Sequence, residues 1–228
     1  MAKTKIQTLW VVLLEIVGIW VISDIGYYSI VAFLVFGTDY SSHPFVMAWY
    51  YLFWSGIALA TFWPFYKTWK MFDVRARMFV TTIVTSIAAA AYLFYILPLF
   101  PPIHWANFWE PPSELLTASR WYFLPKSIEI LLQQLLVIAM VLAFDARKFS
   151  LKAISYWSAF LFGGIHLLLV FGGSSLAYVA VFTLSATAAG FIFPYFILRV
   201  ENGFIYSYFL HWGFYALVIV LARILLIG

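Results

Sequence analysis

Residues 125–173 read PKSIEILLQQLLVIAMVLAF, then DARKFSLK, then AISYWSAFLFGGIHLLLVFGG. Two apolar runs, each near the 20 residues that cross a bilayer as a helix, are joined by a short charged turn. Each run carries one ionisable residue, Glu129 in the first and His166 in the second. A third, His211, stands in the last apolar run, within SYFLHWGFYALVIV. Ionisable groups inside membrane spans are costly and mark functional sites by default.

The same pattern extends over the whole chain. Of 228 residues, 65% are hydrophobic and only 10% are charged, against about a quarter charged in a soluble domain. This is the composition of an integral membrane protein, all-α and polytopic. The 11 Trp and 22% aromatic content supply side chains that anchor at bilayer interfaces. The net charge of +4 therefore belongs to loops that set orientation, and nucleic acid is excluded as a partner. With no Cys, disulfides, thiolate catalysis, Cys-ligated metals and Cys lipidation are excluded as well.

Seven spans are expected, over about 6–36, 45–66, 78–99, 125–144, 153–171, 176–198 and 204–227. The run after Met1–Lys5 is too long for a cleavable signal segment and lacks a small-residue cleavage site, so it is expected as a retained first span. At about 46 Å as a helix, it should tilt or bend near Ser23-Asp24-Ile25-Gly26. Ten of the thirteen basic residues fall in alternate loops: Lys3, Lys5, Lys67, Lys70, Arg75, Arg77, Arg147, Lys148, Lys152 and Arg199. This bias places the N-terminus in the cytoplasm and the C-terminus outside, with a prokaryotic cytoplasmic membrane as the expected location. The one long connection, 100–124, has four prolines and three tryptophans and reads as an outer interfacial cap, with Ser113 as an N-cap for a short helix. No repeat or linker divides the chain, so residues 1–228 are expected as one domain.

On a helix Glu129 shares a face with Gln133, four residues on, and Lys126, three residues back. It serves either as the partner of Lys126 or as a desolvated general base. Gly163 and Gly164, just before His166, allow a close helix approach and turn that imidazole toward protein. His211 has Ser207 and Tyr215 on its face at four-residue spacing, a polar stripe expected to point inward. Structural hydrogen bonding is the alternative role for both histidines.

A glutamate-bearing span, then Phe162-Gly-Gly-Ile-His166, then His211-Trp-Gly-Phe-Tyr215 resembles the CAAX-protease and bacteriocin-processing membrane family, the type II prenyl endopeptidases. The likeness covers roughly the last hundred residues. Where that family has two adjacent glutamates and a nearby arginine, this chain has Glu129 flanked by Ile128 and Ile130, then Gln133 and Gln134; Tyr215 stands where the family has Asn. The resemblance implies an intramembrane peptidase, active or degenerate, acting on a peptide or protein substrate. Glu129 would activate water and His166 orient it, while His211 and Tyr215 would stabilise the oxyanion. Gln133, Phe162 and Ser207 would support them.

Rival readings compete with this one. Glu129 and the histidines could hold Zn, although the histidines differ by about 9 Å in depth counted from the inner helix ends. His166 and His211 could ligate haem from two helices, and His43, His104 and Asp39 could form a metal site at the outer surface. Glu15, Asp24 and Glu129 could line a proton or cation path. The aromatic-rich surface suits an accessory subunit of a larger membrane complex. A retinal protein is excluded, because the last span holds no lysine for a Schiff base.

Overall fold

The computed structural model describes residues 8–27, 40–69, 75–100, 115, 117–171 and 174–226, without the side chains of Arg75, Ala76 and Leu226. Seven helices follow one another, and the described residues include no strand: α1 Leu9–Ile25, α2 Pro44–Tyr66, α3 Arg75–Ala91, α4 Phe123–Asp145, α5 Leu151–Ile165, α6 Leu176–Arg199 and α7 Gly203–Leu226. From α2 onward, all six are long and apolar enough to cross a membrane, counting the tighter and looser turns that extend α3, α4 and α5. The protein is an all-α polytopic membrane protein whose outer faces meet lipid. Residues 28–36 of the expected first span, Ser113 with most of the expected cap, Asp39 and His104 lie outside the described residues.

Local chemistry sets the helix ends. Ser150 and Ser175 accept hydrogen bonds from the backbone N–H of Ala153 and Tyr178, capping α5 and α6. Between α4 and α5, Lys148 takes a left-handed conformation (φ 61°) and Phe149 N–H reaches back to the Phe144 carbonyl at 3.3 Å. That six-residue closure adds a second donor to the Phe144 carbonyl beside Arg147 N–H (3.0 Å), and it holds the charged turn tight. Near the expected bend in α1, Tyr50 Oη donates to the Ser23 carbonyl at 2.6 Å. A Cβ on Gly26 would lie 2.3 Å from that hydroxyl, so a larger residue there would push the tip of Tyr50 aside.

The α4 helix is the hub. Its span is 78% buried inside the fold, against 6% for α3. It packs against α1, α2, α5, α6 and α7, so its polar side chains face protein on every side. The tightest helix pairing is α5 with α6. A Cβ on Gly190 would meet the Ala159 Cα at 2.5 Å, and one on Gly163 would meet Thr187 Oγ1 at 2.1 Å. Gly163 thus permits the close approach expected of it. Gly164 has nothing within 4 Å of its Cβ position and contributes none.

The two ends of the bundle are pinned differently. At one, the exposed pair Arg77–Glu201 (2.8 Å) and the bond from Trp69 Nε1 to the Ile197 carbonyl (3.1 Å) join the α2–α3 and α6–α7 connections. At the other, the buried Arg223 guanidinium donates to the carbonyls of Leu97 (3.3 Å), Phe100 (2.6 Å) and Ala118. One planar fork with five donors therefore ties the last helix to both flanks of the long connection.

Candidate functional site

Glu129 sits two turns into α4, facing α2 and the segment before it. Its Oε2 accepts from Lys126 Nζ at 2.8 Å and from the Tyr40 hydroxyl; its Oε1 accepts from Gln133 Nε2 at 2.9 Å. The Tyr51 hydroxyl lies 2.7 Å from that of Tyr40. A phenol has one proton, and that of Tyr40 goes to the carboxylate, so Tyr51 donates to Tyr40. Burial, followed by the nearby Glu129 charge, pushes the Tyr40 phenol well above its ordinary value; it stays a neutral donor. The Lys126 ammonium lies over three aromatic faces, Tyr215 at 4.3 Å, Tyr40 at 5.4 Å and Tyr122 at 5.9 Å from the ring centroids. The i,i+3 pairing with Lys126 is the arrangement found, reinforced by two further donors. Sequence alone could not bring in Tyr40, Tyr51 and Tyr122, because they come from other elements and carry no motif.

The two histidines are held by different partners. His166 donates through Nδ1 to the Phe162 carbonyl, 2.7 Å away on its own helix. At this residue the chain tightens from α to 3₁₀, so backbone bonding shifts by one residue and the imidazole takes the carbonyl left behind. His211 stacks on Tyr215 (centroids 5.6 Å apart, 28° between planes) and places Nδ1 3.4 Å from Gln134 Nε2. Ser207, on the same stripe, does not bond His211: its Oγ donates to the Phe204 carbonyl within its own turn, a common habit of helical serine. Phe162 is the neighbour shared by the two imidazoles, edge-on to both at 5.1 and 5.8 Å.

All seven residues nominated from sequence are buried, His166 the most exposed of them at 9%. Five of them, with Lys126, form a chain of contacts rather than one centre: Glu129 to Lys126, Lys126 to Tyr215, Tyr215 to His211, His211 to Phe162, Phe162 to His166. Among the described residues no hydrogen bond joins Glu129 to either histidine, and no three His, Asp or Glu side chains group as a metal would require. Depth is set by how α7 runs beside α4. The Tyr208 hydroxyl donates to the Ser127 carbonyl (2.9 Å) and Trp212 Nε1 to Ser127 Oγ (3.1 Å), which brings His211 level with Gln134.

Beside Glu129 a cleft of about 170 Å³ runs between α1, α2 and α4, lined by Trp20, Ser23, Asp24, Tyr51, Glu129, Leu132, Gln133 and Leu136. It is narrow throughout and accommodates no water-sized sphere. Asp24 is thus carried into the neighbourhood of Glu129, a placement the sequence offered only as part of a longer acidic path. No protein-family model, curated protein or solved structure matches the chain.

Proposed function

We propose that this chain is a peptidase-like membrane protein of the CAAX-protease and bacteriocin-processing type that does not hydrolyse, and that it serves as a non-catalytic subunit in a prokaryotic cytoplasmic membrane. The observation that carries the reading is the state of Glu129. A general base needs a free lone pair and a water within hydrogen-bond reach. Here Oε2 accepts from both Lys126 and Tyr40 and Oε1 from Gln133, and although Oε1 keeps one acceptor site, the adjoining cleft has no room for a water to reach it. The order of the helices bearing Glu129, His166 and His211 supports the peptidase-like part of the proposal.

The subunit role rests on α3. This helix is barely covered by the rest of the fold, yet it exposes Thr82, Ser86, Ala88 and Ala90 beside its larger apolar residues. Small and hydroxyl-bearing residues are what helices use to pack on one another in a bilayer. The partner is then another membrane protein seated along α3.

Two experiments test the proposal. Purified protein is incubated in lipid with membrane-embedded peptides, prenylated CAAX peptides among them; no cleavage is expected, and cleavage that Glu129→Gln abolishes would defeat the non-hydrolytic reading. Extraction in mild detergent should retain a stoichiometric membrane partner, lost on Ala90→Phe. Recovery of a lone chain, unaffected by that substitution, would count against the subunit role.

A further inference from the structure

The cleft between α1 and α4 has an imbalance of charge and of acceptors that the reading above does not use. Glu129 and Lys126 offset one another at 2.8 Å. Asp24, on α1, lines the same cleft and adds a second negative charge. Among the described residues, the ionisable groups acting on it are Glu129 and Lys126 from α4, with Tyr50 and Tyr51 from α2. Of these only Lys126 is cationic, and it is already committed to Glu129. An uncompensated charge in a low-dielectric interior is strongly disfavoured.

Gln133 supplies an independent observation. Its Nε2 must face the Glu129 carboxylate, since the opposite amide orientation would set oxygen against oxygen. The buried Oε1 is therefore turned away from Glu129, on a side chain that lines the cleft, and has no hydrogen-bond partner among the described residues. Buried polar atoms without partners are rare, and each calls for an explanation. The nearby hydroxyl protons do not serve it. Ser23 donates to the Trp20 carbonyl at 2.8 Å, and Tyr51 donates to Tyr40.

We infer that Asp24 and Gln133, beside Glu129, form a binding site for one small monovalent cation, carried as a proton on Asp24 or as a bare alkali ion. Either would neutralise Asp24 and give Gln133 Oε1 its partner. Divalent ions fit poorly: Ca²⁺ takes 6–8 oxygens and Mg²⁺ keeps several waters, and this cleft admits no water. The inference does not depend on whether the protein cuts peptides, and its test reads no cleavage.

The test follows thermal unfolding of the purified protein in detergent, with NaCl replacing choline chloride at constant ionic strength and with pH varied in choline chloride alone. Infrared difference spectra are recorded beside it for a protonated-carboxyl band. A melting midpoint that rises with Na⁺ in the wild type and not in Asp24→Asn assigns the alkali ion. A midpoint indifferent to Na⁺ but raised at lower pH, with a carboxylic-acid band absent from Asp24→Asn, assigns the proton. Asp24→Asn is expected to fold, because its amide can donate to Gln133 Oε1 without adding charge. Should it fail to fold, Gln133→Leu decides: loss or weakening of the wild-type response supports the site, and an unchanged response overturns it. A wild type with neither response, or an Asp24→Asn variant that keeps one, also overturns it.

Discussion

Replacing Lys126 with Met leaves a chain of similar bulk in the space between Tyr40, Tyr122 and Tyr215 but removes the cation bonded to Glu129. Both side chains of the pair are about nine-tenths buried, so solvent screening does little. Removing one partner of a buried pair costs about 3–5 kcal/mol. The lower end applies here, because Tyr40 and Gln133 still donate to the stranded carboxylate. Glu129→Gln should cost a similar amount: the three aromatic faces retain the Lys126 charge, each contact worth roughly 0.5–2 kcal/mol. The double variant removes both charges and should lie within about 1–2 kcal/mol of the wild type, since a buried pair replaced by neutral groups of like volume is often near neutral. The resulting coupling is on the order of 4–5 kcal/mol, well outside the roughly 0.5 kcal/mol scatter of independent sites. Thermal unfolding in detergent reads it, as single-variant midpoints lowered by roughly 6–12 °C at about 2–4 °C per kcal/mol, largely restored in the double variant. Additive losses in the double variant would refute the argument that the pair is the structural centre of this region.

The α5–α6 contact gives a graded test. Gly190→Ala should destabilise by about 1–3 kcal/mol through overpacking, since its new methyl would strike the Ala159 backbone. Gly164→Ala has open space and should be neutral or stabilising by up to roughly 1 kcal/mol on helix propensity; equal melting temperatures for the two would contradict the geometry. Arg223→Met should orphan the carbonyls of Leu97, Phe100 and Ala118, at about 1–3 kcal/mol for each that stays buried. Limited proteolysis between 100 and 118 should then quicken, with Arg223→Lys restoring little. The raised Tyr40 phenol gives a pH signature: its contribution is constant below the unfolded value near 10 and is lost as pH climbs above that. Tyr40→Phe should flatten this alkaline fall in stability, and a fall as steep as in the wild type would show that Tyr40 is not its source.

How far the sequence reaches depends on the range of the interactions involved. Spans from Pro44 onward fall within a few residues of their expected limits, because bilayer thickness and apolar run length are properties of a contiguous stretch. The pairing of Lys126, Glu129 and Gln133 was equally legible, since neighbours three and four apart share a helix face whatever lies opposite. The same reasoning brought Ser207, His211 and Tyr215 to one stripe, and all three are buried. It could not tell that Ser207 would bond within its own turn, or that His166 would take the Phe162 carbonyl where α5 tightens.

What surrounds these residues was settled by the tertiary structure. The two oxygens of Glu129 look alike in sequence as a base or as a counter-ion. The choice between those roles lies with Tyr40, 89 positions away, and with a cleft whose width depends on how α1, α2 and α4 pack. Sequence by itself determined that the chain spans a membrane, roughly where, and which polar residues turn inward, because each follows from local composition and helical period. Only the packed fold decided that Glu129 is an ion-paired node, that Asp24 and Gln133 share its cleft, and that Phe162 sits against both histidines. Those facts are distances between helices, and no stretch of sequence contains them.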